Sequence, residues 1–249
     1  MGLKNIIKNF HTADIAWQYR RLRFTPFHPV FWSHIKIYDA ILSVAYKANG
    51  VMLDAGCGIK PYEELFDGFV ESYLGLEYST NSGYIGHKAD IIGNIMDLNI
   101  ESESIDTILC TEVLEHIENP IAAINEFFRV LRPGGIVILT VPFAFPVHDE
   151  KDYWRFSEQG LRLLFDNSGF IVEEIKPITN TAMSIAILFN MYIFDIGFVW
   201  KKWLYPFGLL LRPILWIIIA IINLSFGLAG LIITSEHLPS NIMLIAKKD

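Results

Sequence analysis

The sequence predicts an α/β fold, a mostly parallel sheet covered by helices on both sides. Short apolar runs without polar alternation, such as Val51-Met52-Leu53 and "GIVILTVP" at 135–142, read as strands buried on both faces. Longer stretches with apolar residues at helical spacing alternate with them, and that alternation produces a parallel sheet. A third observation is the turn "DAGCG" at 54–58, which ends the first strand and leads toward a helix expected near Pro61. Gly-rich turns of this kind hold nucleotides at the carboxyl ends of strands. A dinucleotide fingerprint would put a third glycine at position 61, where Pro61 stands, so the NAD reading weakens.

The elements follow in order. Residues 1–50 read as an N-terminal helical arm or lid, in which "RLRFTPFHPVFW" is aromatic and broken by Pro26 and Pro29. Ile35, Tyr38, Ile41, Leu42 and Ala45 then mark a helix that closes at Asn49-Gly50. After the first strand, strands are expected at "SYLGLEYS" (72–79), "ADIIGNI" (89–95) and "IDTILCT" (105–111). Asn119 as N-cap and Pro120 at the first position begin a helix, with its stop at Pro133-Gly134-Gly135. "SEQGLRLLFDNSGF" gives a further helix, and "FIVEEIKPI" (170–178) and "NIMLIAKK" (241–248) two more strands. The expected domains are therefore the arm, a core over 51–179, a hydrophobic helical insertion over 180–238 and a final core strand within 239–249.

Composition limits the partners. With 249 residues and a net charge of −7, the chain has no basic stripe to neutralise phosphates, which excludes a sequence-independent nucleic-acid binder. Two cysteines, Cys57 and Cys110, fall beside buried strand ends and read as reduced thiols of a cytoplasmic protein. The N-terminal stretch lacks the apolar run of a signal peptide.

In an open parallel sheet the ligand sits where strand order reverses, outside the strand carboxyl ends. Asp54, Gly56 and Gly58 lie at the end of the first strand, and Glu77 follows at the end of the second, placed to accept hydrogen bonds from ribose hydroxyls. The pocket is expected to hold an adenosine.

These residues, with "LGLEYS", "GNIMDL", "SIDTILCTEVLEHIENP" and "RVLRPGGIVILTVPF" in register, resemble the class I S-adenosylmethionine-dependent methyltransferases over residues 51 to about 178. The nearest branch is the small-molecule one, with quinone and polysaccharide-biosynthesis enzymes. The resemblance implies a Rossmann-like seven-stranded sheet whose last strand is antiparallel, with S-adenosyl-L-methionine as cofactor. It implies that Gly56 and Gly58 approach the methionyl part, Asp54 faces its ammonium group, Glu77 holds the ribose, Asn94 and Ile95 meet the adenine, and Thr111 lies beside the methyl group. Asp97 aligns with a second acid that reads as a turn residue.

The stretch "PFAFPVHDEKDYWRFSEQGL" resembles the family's substrate-covering loop, which implicates Tyr153 and Arg155 in substrate binding. His148 is the expected general base, since an ordinary pKa near 6.5 suits proton removal from a hydroxyl. A surface histidine holding Asp152 is the competing reading. His116 is the second candidate, against a solvated helix start beside Glu112 and Glu115. Arg155 could clamp an acid or pair with Asp152 or Glu158. No metal is expected.

The expected activity is methyl transfer to a small or lipid-linked acceptor, at an oxygen of a glycan or glycolipid precursor. Carbon methylation of a polyprenyl quinone ring and an inactive membrane-associated scaffold are the alternatives. Hydrophobic residues make up 52% of the chain, and the excess follows residue 180. The uncharged run at 213–233 is long enough to span a bilayer. A single span conflicts with a return to the sheet, and a spanning hairpin would put Lys201, Lys202 and Arg212 outside, against the positive-inside bias. A monotopic anchor on the inner face is expected, with Trp200, Trp203 and Trp216 near headgroups. A soluble cap or dimer interface is the competing reading.

Overall fold

The computed structural model describes residues 22–78, 88–198 and 205–249, without the side chains of 195–198 and 205–210. Residues 1–21 of the expected arm, and the expected positions of Ser79, Trp200, Lys201, Lys202 and Trp203, lie outside the described residues. The chain divides into two compact units. One comprises Lys36–Ile178 with Pro239–Asp249, the other Met1–Ile35 with Thr179–Leu238.

The first unit is built on seven strands: β1 (Val51–Ala55), β2 (Ser72–Glu77), β3 (Ile91–Ile92), β4 (Ile105–Thr111), β5 (Leu131–Pro142), β6 (Phe170–Pro177) and β7 (Asn241–Lys248). Their order is β3-β2-β1-β4-β5-β7-β6. β1 through β5 pair in parallel, and β7 runs antiparallel to both neighbours. The seven-stranded Rossmann-like sheet expected from the sequence is therefore present, and strand order reverses between β1 and β4.

Both faces are covered. On one, α2 (Pro120–Val130) and α3 (Glu158–Asn167) lay Ile124, Phe127, Leu161 and Phe165 against Leu53, Ile108, Val137 and Leu244. On the other, Ile37, Ile41 and Val44 of α1 (Phe31–Val44) join Phe66 against Met52, Leu109, Ile138 and Ile245. Both N-caps follow from sequence: Asn119 Oδ1 accepts from Ala122 N at 3.2 Å and Ser157 Oγ from Gly160 N at 3.1 Å.

Several boundaries differ from expectation, among them the fifth strand, which begins at Leu131 and not at Gly135. No α-helix begins near Pro61; Glu63–Phe66 form one 3₁₀ turn, with Lys60 before it at φ 54° and Gly68 soon after at φ 81°. So short a segment cannot recover the cost of helix nucleation. α2 stops at Val130, not at Pro133-Gly134-Gly135, because Leu131 turns extended and pairs with Ile105. The third strand is confined to Ile91–Ile92, since Asn94 and Asp97 form a turn beyond it.

The second unit contains α4 (Thr181–Phe198) and α5 (Tyr205–Ile232), which pack against one another.

Candidate active site

Asp54 lies in the middle strand pair, fully buried, and accepts the Tyr73 hydroxyl through Oδ2 at 2.6 Å. Its Oδ1 is out of solvent and takes no hydrogen bond from the described residues. Burial pushes the Asp54 carboxyl up to about 7, although Tyr73 and Lys60 both favour its ionised form. A buried acceptor with one free oxygen fits an ammonium partner.

Past Ala55 the chain turns through Gly56 at φ 82°, and its amide and that of Cys57 donate to Leu76 O at 2.8 and 3.1 Å. A side chain at Gly56 would be strained and would also collide with Val113. Gly58 adopts φ 50°, and no described atom lies within 4 Å of where its Cβ would stand. Its amide donates to Glu77 Oε2 at 3.1 Å, and Tyr78 N donates to Glu77 Oε1 at 3.2 Å. Two backbone amides thus fix the Glu77 carboxylate while leaving lone pairs on both oxygens. Asn94 Oδ1 accepts from Met96 N at 3.0 Å, which leaves its amide group to donate. Ile95 is buried next to it, and Thr111 is half-buried at the end of β4. Asp97 closes the turn through its amide on Asn94 O at 3.0 Å, as expected of a turn residue.

Beyond β4, Glu112 takes φ 53° and the 3₁₀ turn Leu114–His116 follows. Asn241 Nδ2 donates to Glu112 Oε2 at 2.7 Å, and burial pushes the Glu112 carboxyl up to about 7. Glu115 corrects the expectation of a solvated helix start, because its side chain is fully buried. Neither carboxylate oxygen takes a hydrogen bond from the described residues, and burial with the nearby Glu112 charge raises its pKa well above the carboxylate range. Sequence reading missed both acids as site residues; the available signal was the spacing Glu112, Glu115, His116 immediately after a strand.

The two predicted histidines meet, with ring centroids 5.0 Å apart and edge to face. His148 Nδ1 is 3.0 Å from Asp152 Oδ2 and 3.4 Å from Pro146 O. Both neighbours only accept, so Nδ1 carries the hydrogen and Nε2 the lone pair. His116 Nδ1 faces Lys151 O at 2.6 Å, which fixes the same tautomer. Its Nε2 lies 3.7 Å from Glu115 Oε1, and Glu115, His116 and His148 bring one possible ligand atom each within 4.8 Å of one another. Burial lowers the pKa of His148 despite the opposing charge of Asp152.

Asp152 is held below the usual range, at about 2, by Arg155. Arg155 grips it with both terminal nitrogens and also donates to Phe145 O, Pro146 O and Trp154 O. All of its donors are used inside this loop, so Arg155 orders the loop and leaves no hydrogen for a bound acid. Tyr153 is exposed, its hydroxyl donating to Glu118 Oε1 at 3.1 Å.

Residues 53–139 match the family model described as a methyltransferase domain. Over this region the chain is similar to S-adenosylmethionine-dependent methyltransferases. It is 31% identical over 159 residues to a "Probable S-adenosylmethionine-dependent methyltransferase" of Mycolicibacterium smegmatis, covering 58% of this chain and 60% of that one. It is 24% identical over 145 residues to a ubiquinone biosynthesis O-methyltransferase of Pseudomonas fluorescens, covering 54% and 61%. The chain thus spans about three fifths of the length of these relatives. The crystal structure of the cyclase SpnF shares the fold, with a TM-score of 0.56, 17% identity and coverage of 86% and 81%.

The residues of the site fit S-adenosyl-L-methionine: among the described residues the unbonded Asp54 oxygen, the uncrowded Gly58 and the amide-fixed Glu77 carboxylate supply an acid for an ammonium, room for backbone approach and acceptors for a ribose.

Proposed function

We propose that the chain methylates an oxygen of a small or lipid-linked acceptor of the glycan or glycolipid precursor kind, with His148 as general base. The cofactor supplies a methyl group on a positively charged sulfur. Asp54, Gly56, Gly58, Glu77, Asn94, Ile95 and Thr111 hold it, and Tyr153 contacts the acceptor. Transfer to the acceptor oxygen would break the methyl–sulfur bond, its electron pair staying on the departing neutral sulfur, and His148 Nε2 would take the acceptor's proton. Asp152 and Arg155 keep that ring in the reactive tautomer, which makes them positioning residues.

The observation that carries this reading is the pair of acceptors around His148 Nδ1. His116, whose Nε2 carries the lone pair beside Glu115, is the second base. The ubiquinone O-methyltransferase relative favours oxygen over ring carbon. Fold likeness does not decide the reaction, because a cyclase shares it. The proposed location is the inner face of the membrane, where a lipid-linked acceptor is available.

Calorimetry with S-adenosyl-L-methionine tests the reading, paired with turnover on lipid extracts. His148→Ala should leave cofactor affinity intact and reduce turnover about 10² to 10⁴-fold. Unchanged turnover would move the base to His116, and absence of cofactor binding would end the methyltransferase reading.

A further inference from the structure

The unit containing α4 and α5 reverses the pattern of a water-soluble helix pair. Along α5 the buried positions are Arg212, Ile219, Ala220, Asn223, Gly227 and Gly230, while Ile214, Ile217, Ile221, Leu224, Leu228 and Leu231 are exposed. On α4 the polar Ser184 and Asn190 are buried, and Ile185, Leu188, Phe189 and Tyr192 are exposed. Asn190 Nδ2 donates to Asn223 Oδ1 at 2.9 Å, and Asn180 Nδ2 to Gly230 O at 3.0 Å. Of the polar groups Ser184, Asn190, Arg212 and Asn223 face inward and Ser225 is exposed, while most large aliphatic groups face outward, an arrangement that acyl chains favour and water opposes.

Hydrocarbon is the occupant that fits this surface. Leu211–Ile232 has a mean hydropathy of 2.4 with only 28% of it buried, unlike the core helix of a soluble protein. Among the described side chains of α4 and α5, none that is exposed is charged. A second copy or another protein would leave a polar rim around the contact, and along the described side chains of α4 and α5 the exposed face carries no charge.

Orientation follows from Asn223, near the middle of that stretch. Its Nδ2 donates to Pro26 O at 2.7 Å and His28 O at 3.0 Å, and Trp32 Nε1 donates to the Asn223 carbonyl at 3.0 Å. The Trp32 ring occupies the space a side chain at Gly227 would need. A turn-rich segment with irregular backbone is therefore fixed to the centre of α5. Were α5 to cross the bilayer, that backbone would sit at the midplane, where irregular chain is not tolerated against lipid.

We infer that α4 and α5 lie in the plane of one leaflet, with Ile214, Ile221 and Leu228 among acyl chains and residues 22–35 on the headgroup side. This deepens the membrane location proposed above and is independent of the methyl transfer.

The test uses the full chain with Ile214→Cys, Ile221→Cys or Leu228→Cys, each carrying an environment-sensitive fluorophore. Cys57 and Cys110 are buried, and the parent chain measures their background labelling. Vesicles of phosphatidylethanolamine and phosphatidylglycerol carry a quencher at a shallow or a deep acyl position. All three probes should shift to the blue on vesicle addition and be quenched several-fold more by the shallow lipid, to equal extents. Deep quenching that peaks at position 221 and fades at 214 and 228 would mean a crossing helix and overturn the inference. Blue emission already present without lipid and insensitive to both quenchers would mean a protein-covered face and overturn it too. Calorimetry with S-adenosyl-L-methionine on the same samples separates this outcome from the enzymatic reading.

Discussion

Asp54→Asn is a perturbation whose size can be worked out from the site. The carboxyl stands at about 7 in the fold against 3.8 ordinarily. Each factor of ten in proton affinity is worth about 1.4 kcal/mol, so the elevation amounts to about 4 kcal/mol. Between the two values the folded state holds a proton that the unfolded chain releases, so stability falls as pH rises from about 4 to about 7 and then levels. Above 7 the native protein carries this burden in full, and asparagine, which never ionises, does not. The variant keeps an acceptor for the Tyr73 hydroxyl. Chemical unfolding of the cofactor-free protein in mild detergent should therefore show near-equal stabilities at pH 4 and a variant up to about 4 kcal/mol more stable at pH 8. Calorimetry at pH 8 should show weaker S-adenosyl-L-methionine binding by the variant, because the ammonium partner is lost. Identical pH slopes for the two proteins would refute the buried-acid reasoning, whatever the binding result. The expected outcome is a stability sacrifice retained for binding.

Other expectations follow the same logic. Glu77→Ala should weaken cofactor binding about tenfold or more by calorimetry, since a polar site left without its partner loses about 1–3 kcal/mol. The acid limb of the pH–rate profile should lie below the ordinary histidine value of 6.5, because burial lowers His148, and Asp152→Asn should move that limb lower still while reducing turnover. Asn223→Ala should destabilise the detergent-solubilised chain by about 1–3 kcal/mol in thermal unfolding, as Asn190 and two backbone carbonyls lose their partner. Cys57, buried with its thiol pushed up to about 12, should resist alkylation at pH 8 until the fold is denatured.

The sheet was readable because burial on both faces leaves an unbroken apolar signature, as in Ile136–Leu139, and because Asn119-Pro120 and Ser157 mark helix starts by local chemistry. Where tertiary pairing decides, the pattern misleads. Leu131 leaves the helix to pair with Ile105, which no local signal announces. The environment of Glu115 was equally hidden, since a glutamate in sequence reads as solvated and only the packing around the 3₁₀ turn buries it. Arg155 looked available for a substrate because its type suits one; its donors are taken by carbonyls that sequence cannot position. The glycines at 56 and 58 were legible for the opposite reason, a positive φ being a demand that residue type records.

The position of β7 sets an order in time. β5 ends at Pro142, yet the strand that flanks it on one side begins only at Asn241, after both apolar helices have been synthesised. That same strand joins β6 to the sheet, so until it arrives β5 and β6 each present an unpaired edge to their surroundings. Helices of this apolarity meet a bilayer as they form, whereas pairing across so long a loop is slow. On the membrane location proposed above, engagement of the two helices would precede completion of the sheet, and a chain kept from lipid would hold its aggregation-prone edges open for longest.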